Sequence, residues 1–143
     1  MKKKWPVRAL LALLCIAVLY IVPAYAAESR TSERIDMSSV SLSKKSNGDL
    51  SIYFSVRATG VMKKIGASSV AIQRSSGSDW VTEYTFTPSN APEIQTENKF
   101  QHNATLTYSP LFTGKEYRAV VMIHAEDTTG VSTKELTSRA VTS

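Results

Sequence analysis

Alternation with a period of two restricts this chain more than any other feature. Across residues 49–58, Leu50, Ile52, Phe54, Val56 and Ala58 alternate with Ser51, Tyr53, Ser55 and Arg57. Successive side chains of a strand point to opposite faces, so the apolar set shares one buried face. A helix would instead bring every third or fourth residue together. Residues 117–125 repeat the pattern, with Tyr117, Ala119, Val121, Ile123 and Ala125 on one face and Arg118, Val120, Met122 and His124 on the other. Shorter runs follow the same rule: Val70, Ile72 and Arg74, entered through Ile65 and Gly66; Trp80, Thr82, Tyr84 and Phe86 against Val81, Glu83 and Thr85; Phe100, His102, Ala104, Leu106 and Tyr108 against the residues between them.

Turn chemistry separates these runs. Asn47-Gly48 readily takes the positive φ of a tight hairpin and joins a short strand near residues 40–43 to the run at 49–58. Ser75-Ser76-Gly77-Ser78-Asp79 and Asp127-Thr128-Thr129-Gly130 are further turns. Residues 88–99 read as a polar loop, because Pro88 and Pro92 lack the N–H a central strand requires. Residues 131–141 close the chain, with a phase break at Glu135 and Leu136 that predicts a bulge. About seven short strands with turns every 8–12 residues predict an all-β, antiparallel β-sandwich over residues 38–143. Its predicted core is Leu50, Ile52, Phe54, Val56, Trp80, Tyr84, Phe86, Leu106, Tyr117, Val121 and Ile123.

A different kind of segment precedes the strands. Lys2, Lys3, Lys4 and Arg8 lead into an apolar run at residues 9–22, and Pro23 is followed by Ala24, Tyr25 and Ala26. A basic head, an apolar middle and small residues at Ala24 and Ala26 predict a secretory signal peptide over residues 1–26, helical in its apolar part. Cleavage falls after Ala26 or Ala27. The run is shorter than the ~20 residues needed to span a bilayer, so retention as an uncleaved membrane anchor is the alternative. Residues 27–37 are polar and without period, a predicted flexible lead-in.

Removing the leader changes the bulk properties. Four of the 17 basic residues lie within it and all 12 acidic residues lie beyond it, so the net charge falls from +5 to +1 over the remaining 117 residues. That argues against nucleic acid as a partner, since phosphate binding needs a basic face. The single cysteine, Cys15, leaves with the leader and takes disulfide, thiol and cysteine-metal chemistry with it. A chain of this length can be held by its core alone.

Leu111, Gly114 and Tyr117, followed by alternating Ala119, Val121 and Ile123 and a turn at Gly130, resemble the E–F corner and F strand of fibronectin type III domains. The resemblance covers residues 104–133. It implies an immunoglobulin-like sandwich and makes Leu111, Gly114 and Tyr117 structural corner residues, with the Tyr117 hydroxyl bonded to upstream backbone. The chain departs from the family pattern in offering Phe54 where a second-strand tryptophan is usual and Thr113 where proline is frequent, and its Trp80 comes one or two strands later. In leader and layout the chain also resembles small secreted proteins of Gram-positive bacteria that carry one such domain.

No residue pattern points to catalysis, a cofactor or a metal. His102 and His124 are the chain's two histidines and lie in separate runs, whereas a metal needs three or four converging donors. The serine-rich chain contains no glycine-framed G-x-S-x-G turn. Lys63 and Lys64, with Arg57 and Arg74, form a candidate basic patch for an anionic glycan, weighed against edge-protecting lysines. Asn103-Ala104-Thr105 fits the N-glycosylation sequon. The run at 117–125 is unusual, because Val120 and Met122 are apolar on the face that should meet water. They are the candidate contact surface, with Tyr53 as a possible neighbour. The expectation is a secreted, non-catalytic binding module for a cell-surface protein or glycan. A structural, self-assembling envelope protein is the alternative, and a small secreted enzyme ranks behind both.

Overall fold

A computed structural model describes residues 33–143. The leader of residues 1–26, with Ala24 and Ala26, and most of the lead-in lie outside the described residues. The described chain is all-β and antiparallel, with seven strands: β1 (Ile35–Lys44), β2 (Leu50–Ser76), β3 (Asp79–Phe86), β4 (Gln95–Tyr108), β5 (Glu116–Glu126), β6 (Val131–Thr137) and β7 (Val141–Thr142). A single 3-10 turn, Pro92–Ile94, precedes β4.

β2 organises everything else. It is 27 residues long and pairs with four other strands. Its first part lies between β1 and β4: Phe54 stands opposite Val40 on one side and Ala104 on the other, and Ile52 opposite Leu42 and Leu106. Its second part lies between β3 and β5, with Ile72 opposite Tyr84 and Ala119. The pairing with β4 shifts register between Arg57 and Met62, and that with β5 between Ala67 and Ser69. Such irregularities bend a strand, so one continuous strand carries the chain through the curl of the sheet. β6 extends this second half beyond β5, and β7 pairs with the start of β5.

The alternation of residues 50–58 and 117–125 appears directly in the burial. Leu50, Ile52, Phe54, Tyr117, Ala119, Val121, Ile123 and Ala125 are all fully buried. Met62, Ile65, Ala67, Val70 and Ile72 join them from the second half of β2, and Ala91 and Ile94 from the 3-10 turn. That turn reaches the core by approaching β2 closely. A Cβ on Gly66 would lie 2.2 Å from the Ile94 carbonyl oxygen, and Gly66 has φ +142°, so only glycine fits there.

Several boundaries differ from the sequence reading. β1 begins at Ile35, three residues inside the predicted lead-in, with Ile35 buried opposite Ala58. The runs at 49–58 and 70–74 are one strand; residues 59–69, which carry two glycines and two lysines, are held by pairing to β4 and β5. The loop expected to reach residue 99 ends at the 3-10 turn, because Gln95, Thr96 and Glu97 already pair with Gly66, Ile65 and Lys64. β6 runs in unbroken register with β5 through Glu135 and Leu136, so the bulge expected there is absent. Trp80 and Tyr84 leave the predicted core list. Trp80 is half-buried on the outer face, its ring 4.3 Å from the Arg118 guanidinium, and Tyr84 is exposed. Phe100 is also exposed.

Candidate functional site

The departure at Trp80 has a local cause, whereas Tyr84 keeps its face opposite Ile72 and is exposed at the open edge of β3. Thr82 stands opposite Gln73 and Tyr84 opposite Ile72, so Glu83 is the extra residue of a β-bulge in β3. A bulge re-aims side chains. Before it, Trp80 and Thr82 share the outer face with Gln73 and Arg118. At the bulge, the Glu83 carboxylate turns inward and is almost fully buried.

A buried carboxylate requires partners, and three strands supply them. Arg74, near the end of β2, forms an ion pair with Glu83 Oε1 through its Nε. Tyr108, the last residue of β4, and Tyr117, near the start of β5, each donate a hydroxyl proton to Glu83 Oε2 at 3.1 Å. The Phe112 backbone N–H in the loop between β4 and β5 donates to the Tyr117 hydroxyl at 3.3 Å. The Arg74 guanidinium lies 4.5 Å from the centre of the Phe112 ring, a cation–π contact. Burial, with the hydrogen bond donated to Glu83 second, pushes the Tyr108 hydroxyl up to about 12. Burial is also the main cause raising that of Tyr117, which its Phe112 contact partly opposes.

Large apolar side chains stand exposed around this network. Leu111 is 75% exposed and Phe112, Val81 and Tyr84 are each between 41% and 47% exposed. Val81 stands opposite Arg74 in the ladder, and Tyr84 stacks on Tyr108 with ring centres 6.0 Å apart. The Phe112 loop is fixed on both sides, since the Ser143 hydroxyl donates to its carbonyl at 2.7 Å. Sequence reasoning missed this surface. The available signal was a leucine–phenylalanine pair between Pro110 and Gly114, in a segment whose turn residues place it at the surface.

The residues singled out from sequence are distributed as follows. Tyr117 is fully buried and Gly114 takes φ +75°, whereas Leu111 projects outward instead of packing beneath the corner. Val120 and Met122 are half-buried, flanked by Ala71 and Thr137 and by Ser69 and Glu135 respectively. Tyr53 is not their neighbour: it stands between Ser41 and Thr105 on the β1, β2 and β4 part of the sheet. The candidate basic patch is dispersed, with Arg57 against Asp36, Arg74 against Glu83 and Lys63 near Glu126. His124 faces Glu126 at 3.3 Å, and His102 Nε2 bonds the Glu93 carbonyl at 2.7 Å. Among the described residues, no group of three or more histidine, cysteine, aspartate or glutamate side chains could hold a metal. No described helix is long and apolar enough to cross a membrane.

At the opposite end, the 127–130 turn is locked to the start of the described chain. Arg34 Nε lies 2.7 Å from Asp127 Oδ2, and its Nη2 donates to the Thr129 hydroxyl at 2.7 Å. Asp127 Oδ1 accepts from the Thr129 hydroxyl and from the N–H groups of Thr129 and Gly130. Arg34, followed by Thr129, holds the Asp127 carboxyl well below the usual carboxylate range.

No family model and no curated protein matches this chain. Among solved structures, the chain is similar to the solution structure of a candidate late embryogenesis abundant (LEA) protein. The identity is 9% and the TM-score 0.44, over 96% of this chain and 84% of the other.

Proposed function

We propose that this chain is an exported, non-catalytic binding module that meets a protein or glycan at the cell surface. The observation that carries the binding reading is the apolar surface of Leu111, Phe112, Val81 and Tyr84, held in place by a saturated internal network. Apolar side chains fixed at a surface by surrounding structure, and clustered, fit a contact that buries them against a partner. Their mixture of aliphatic and aromatic groups favours a protein partner at this end. The signal-peptide pattern of residues 1–26 supports export, with retention through an uncleaved leader as the alternative.

The finer fold we propose is a fibronectin type III-like, immunoglobulin-like sandwich. The division of β2 supports it. The start of β2 pairs with β1 and β4 and its end with β3 and β5, with Lys64, Ile65 and Gly66 paired to both β4 and β5, so one curled sheet folds around a single buried core as two layers sharing β2 would. The bond between the Phe112 N–H and the Tyr117 hydroxyl supports the corner.

A self-assembling envelope protein is the second reading, favoured by β3. Among the described strands β3 pairs with β2 alone, and its free edge carries Val81 and Tyr84 and no lysine. Sedimentation velocity of the purified chain separates the two readings. A monomer that is retained on protease-sensitive sites of the producing cell's envelope supports the binding module, and a stable oligomer supports assembly. A monomer with no retention on that envelope rejects both.

A further inference from the structure

The outer face of β1, β2 and β4 is chemically uniform in a way the pairing register makes explicit. Reading across the three strands, one row is Ser39, Ser55 and Asn103, the next Ser41, Tyr53 and Thr105, and the next Ser43, Ser51 and Thr107. Every member is exposed or half-exposed. The row before them is Met37, Arg57 and Gln101. At a strand rise of ~3.3–3.4 Å per residue, the four rows extend about 20 Å along the strands. Solvent faces usually rely on lysine and glutamate; here the three rows carry hydroxyls and one amide around a single exposed aromatic ring.

We propose that this face is a binding site for an uncharged, hydroxyl-rich glycan. A shallow groove crosses its upper part, lined by Met37, Tyr53, Ser55, Arg57, Gln101 and Asn103. The Tyr53 ring offers an apolar face for a sugar ring, and the side-chain amides of Gln101 and Asn103 offer both donors and acceptors to hydroxyl groups. Charge selects the ligand. Arg57 is paired with the Asp36 carboxylate at 3.0 Å, and the one charge left on the face, Lys45, sits at its lower edge, away from the groove, where it donates to the Thr107 hydroxyl at 2.8 Å. The face therefore presents hydrogen-bonding groups with little free charge, complementary to a neutral polysaccharide and not to an anionic one. A protein partner would look for the apolar anchors that this face lacks apart from Tyr53 and Met37. The site shares no residue with the Leu111 and Phe112 surface, so the two stand independently.

The test uses the full-length chain as its host processes it, with cellulose, chitin, xylan and starch as neutral probes and heparin and polygalacturonate as charged ones. Retention on at least one neutral polysaccharide is expected, weakened about tenfold or more by Tyr53→Ala, the usual size for truncating a central aromatic anchor. Leu111→Ser/Phe112→Ser should bind the same polysaccharide as well as the wild type. Tyr53 is exposed, so an unchanged unfolding midpoint shows that its variant is folded; Tyr53→Phe, which keeps the ring, should retain most binding. No retention on any neutral probe, preference for the charged ones, or equal binding by Tyr53→Ala overturns the proposal.

Discussion

The hydroxyl of Tyr117 donates to the carboxylate of Glu83 at 3.1 Å, across 34 residues of sequence. Tyr117 is buried by its place in the β5 alternation, and Glu83 is buried because a bulge turns it inward. The contact therefore joins the part of the fold most evident in the sequence to the part least evident. It also explains how an exposed loop is held rigid, since the same hydroxyl accepts the Phe112 N–H.

Removing the carboxylate should be expensive. Glu83→Ala strands Arg74 and two tyrosine hydroxyls, and losing one partner of a buried pair costs about 3–5 kcal/mol. Arg74 is 19% exposed, so the lower end of that range is expected. Urea denaturation of the variant measures it; a loss below about 1 kcal/mol would show that the network does not stabilise the fold.

The tyrosines set a pH dependence on the alkaline side. Tyr108 is raised to about 12 in the folded protein, against ~10 in the unfolded chain. The folded state thus holds the proton more tightly. The stability this contributes is fully present below pH 10 and is lost as pH rises toward 12. Ultraviolet titration should show late-ionising tyrosine, and Glu83→Gln should bring Tyr108 down while leaving it above 10, because burial is the larger cause. Tyr108 ionising near 10 in the wild type would contradict this.

At the other end of the molecule the sign is reversed. Asp127 is depressed by Arg34, so its contribution is present above the ordinary carboxylate range and is lost as pH falls through the depressed folded value. Arg34→Ala should raise the Asp127 carboxyl toward the ordinary range in an NMR titration. An unmoved Asp127 would mean that Thr129 and Gly130 alone hold it.

Gly66→Ala should destabilise by ~1–3 kcal/mol from backbone conformation alone, with a further cost from the clash with the Ile94 carbonyl. Phe54→Ala, at the centre of the buried face, should cost ~3–5 kcal/mol. Thermal or denaturant unfolding checks both.

Legibility in the sequence followed burial. In the first half of β2 and in β5 one face is sealed, so the pattern of side chains reports the structure without ambiguity. Residues 59–69 were opaque because Gly60 and Gly66 resemble turn residues. Here Gly66 serves a close approach by the 3-10 turn, and the pairing that keeps the strand continuous comes from distant β4 and β5. β3 misled because it is an edge strand: little packing enforces its phase, and a one-residue bulge exchanges its faces. Ile35 lay beyond reach of a periodicity argument because a strand's first residue has no pattern before it. In the 109–117 segment Tyr117 is buried and Gly114 takes a positive φ, while Leu111 projects outward to form the surface on which the proposed function rests.

Hydrogen exchange of the chain alone and in the presence of solubilised envelope from the producing cell tests that surface most directly. New protection confined to residues 79–86 and 109–115, abolished by Leu111→Ser/Phe112→Ser, is the predicted result. No added protection there, or protection that persists in the double variant, would contradict the account.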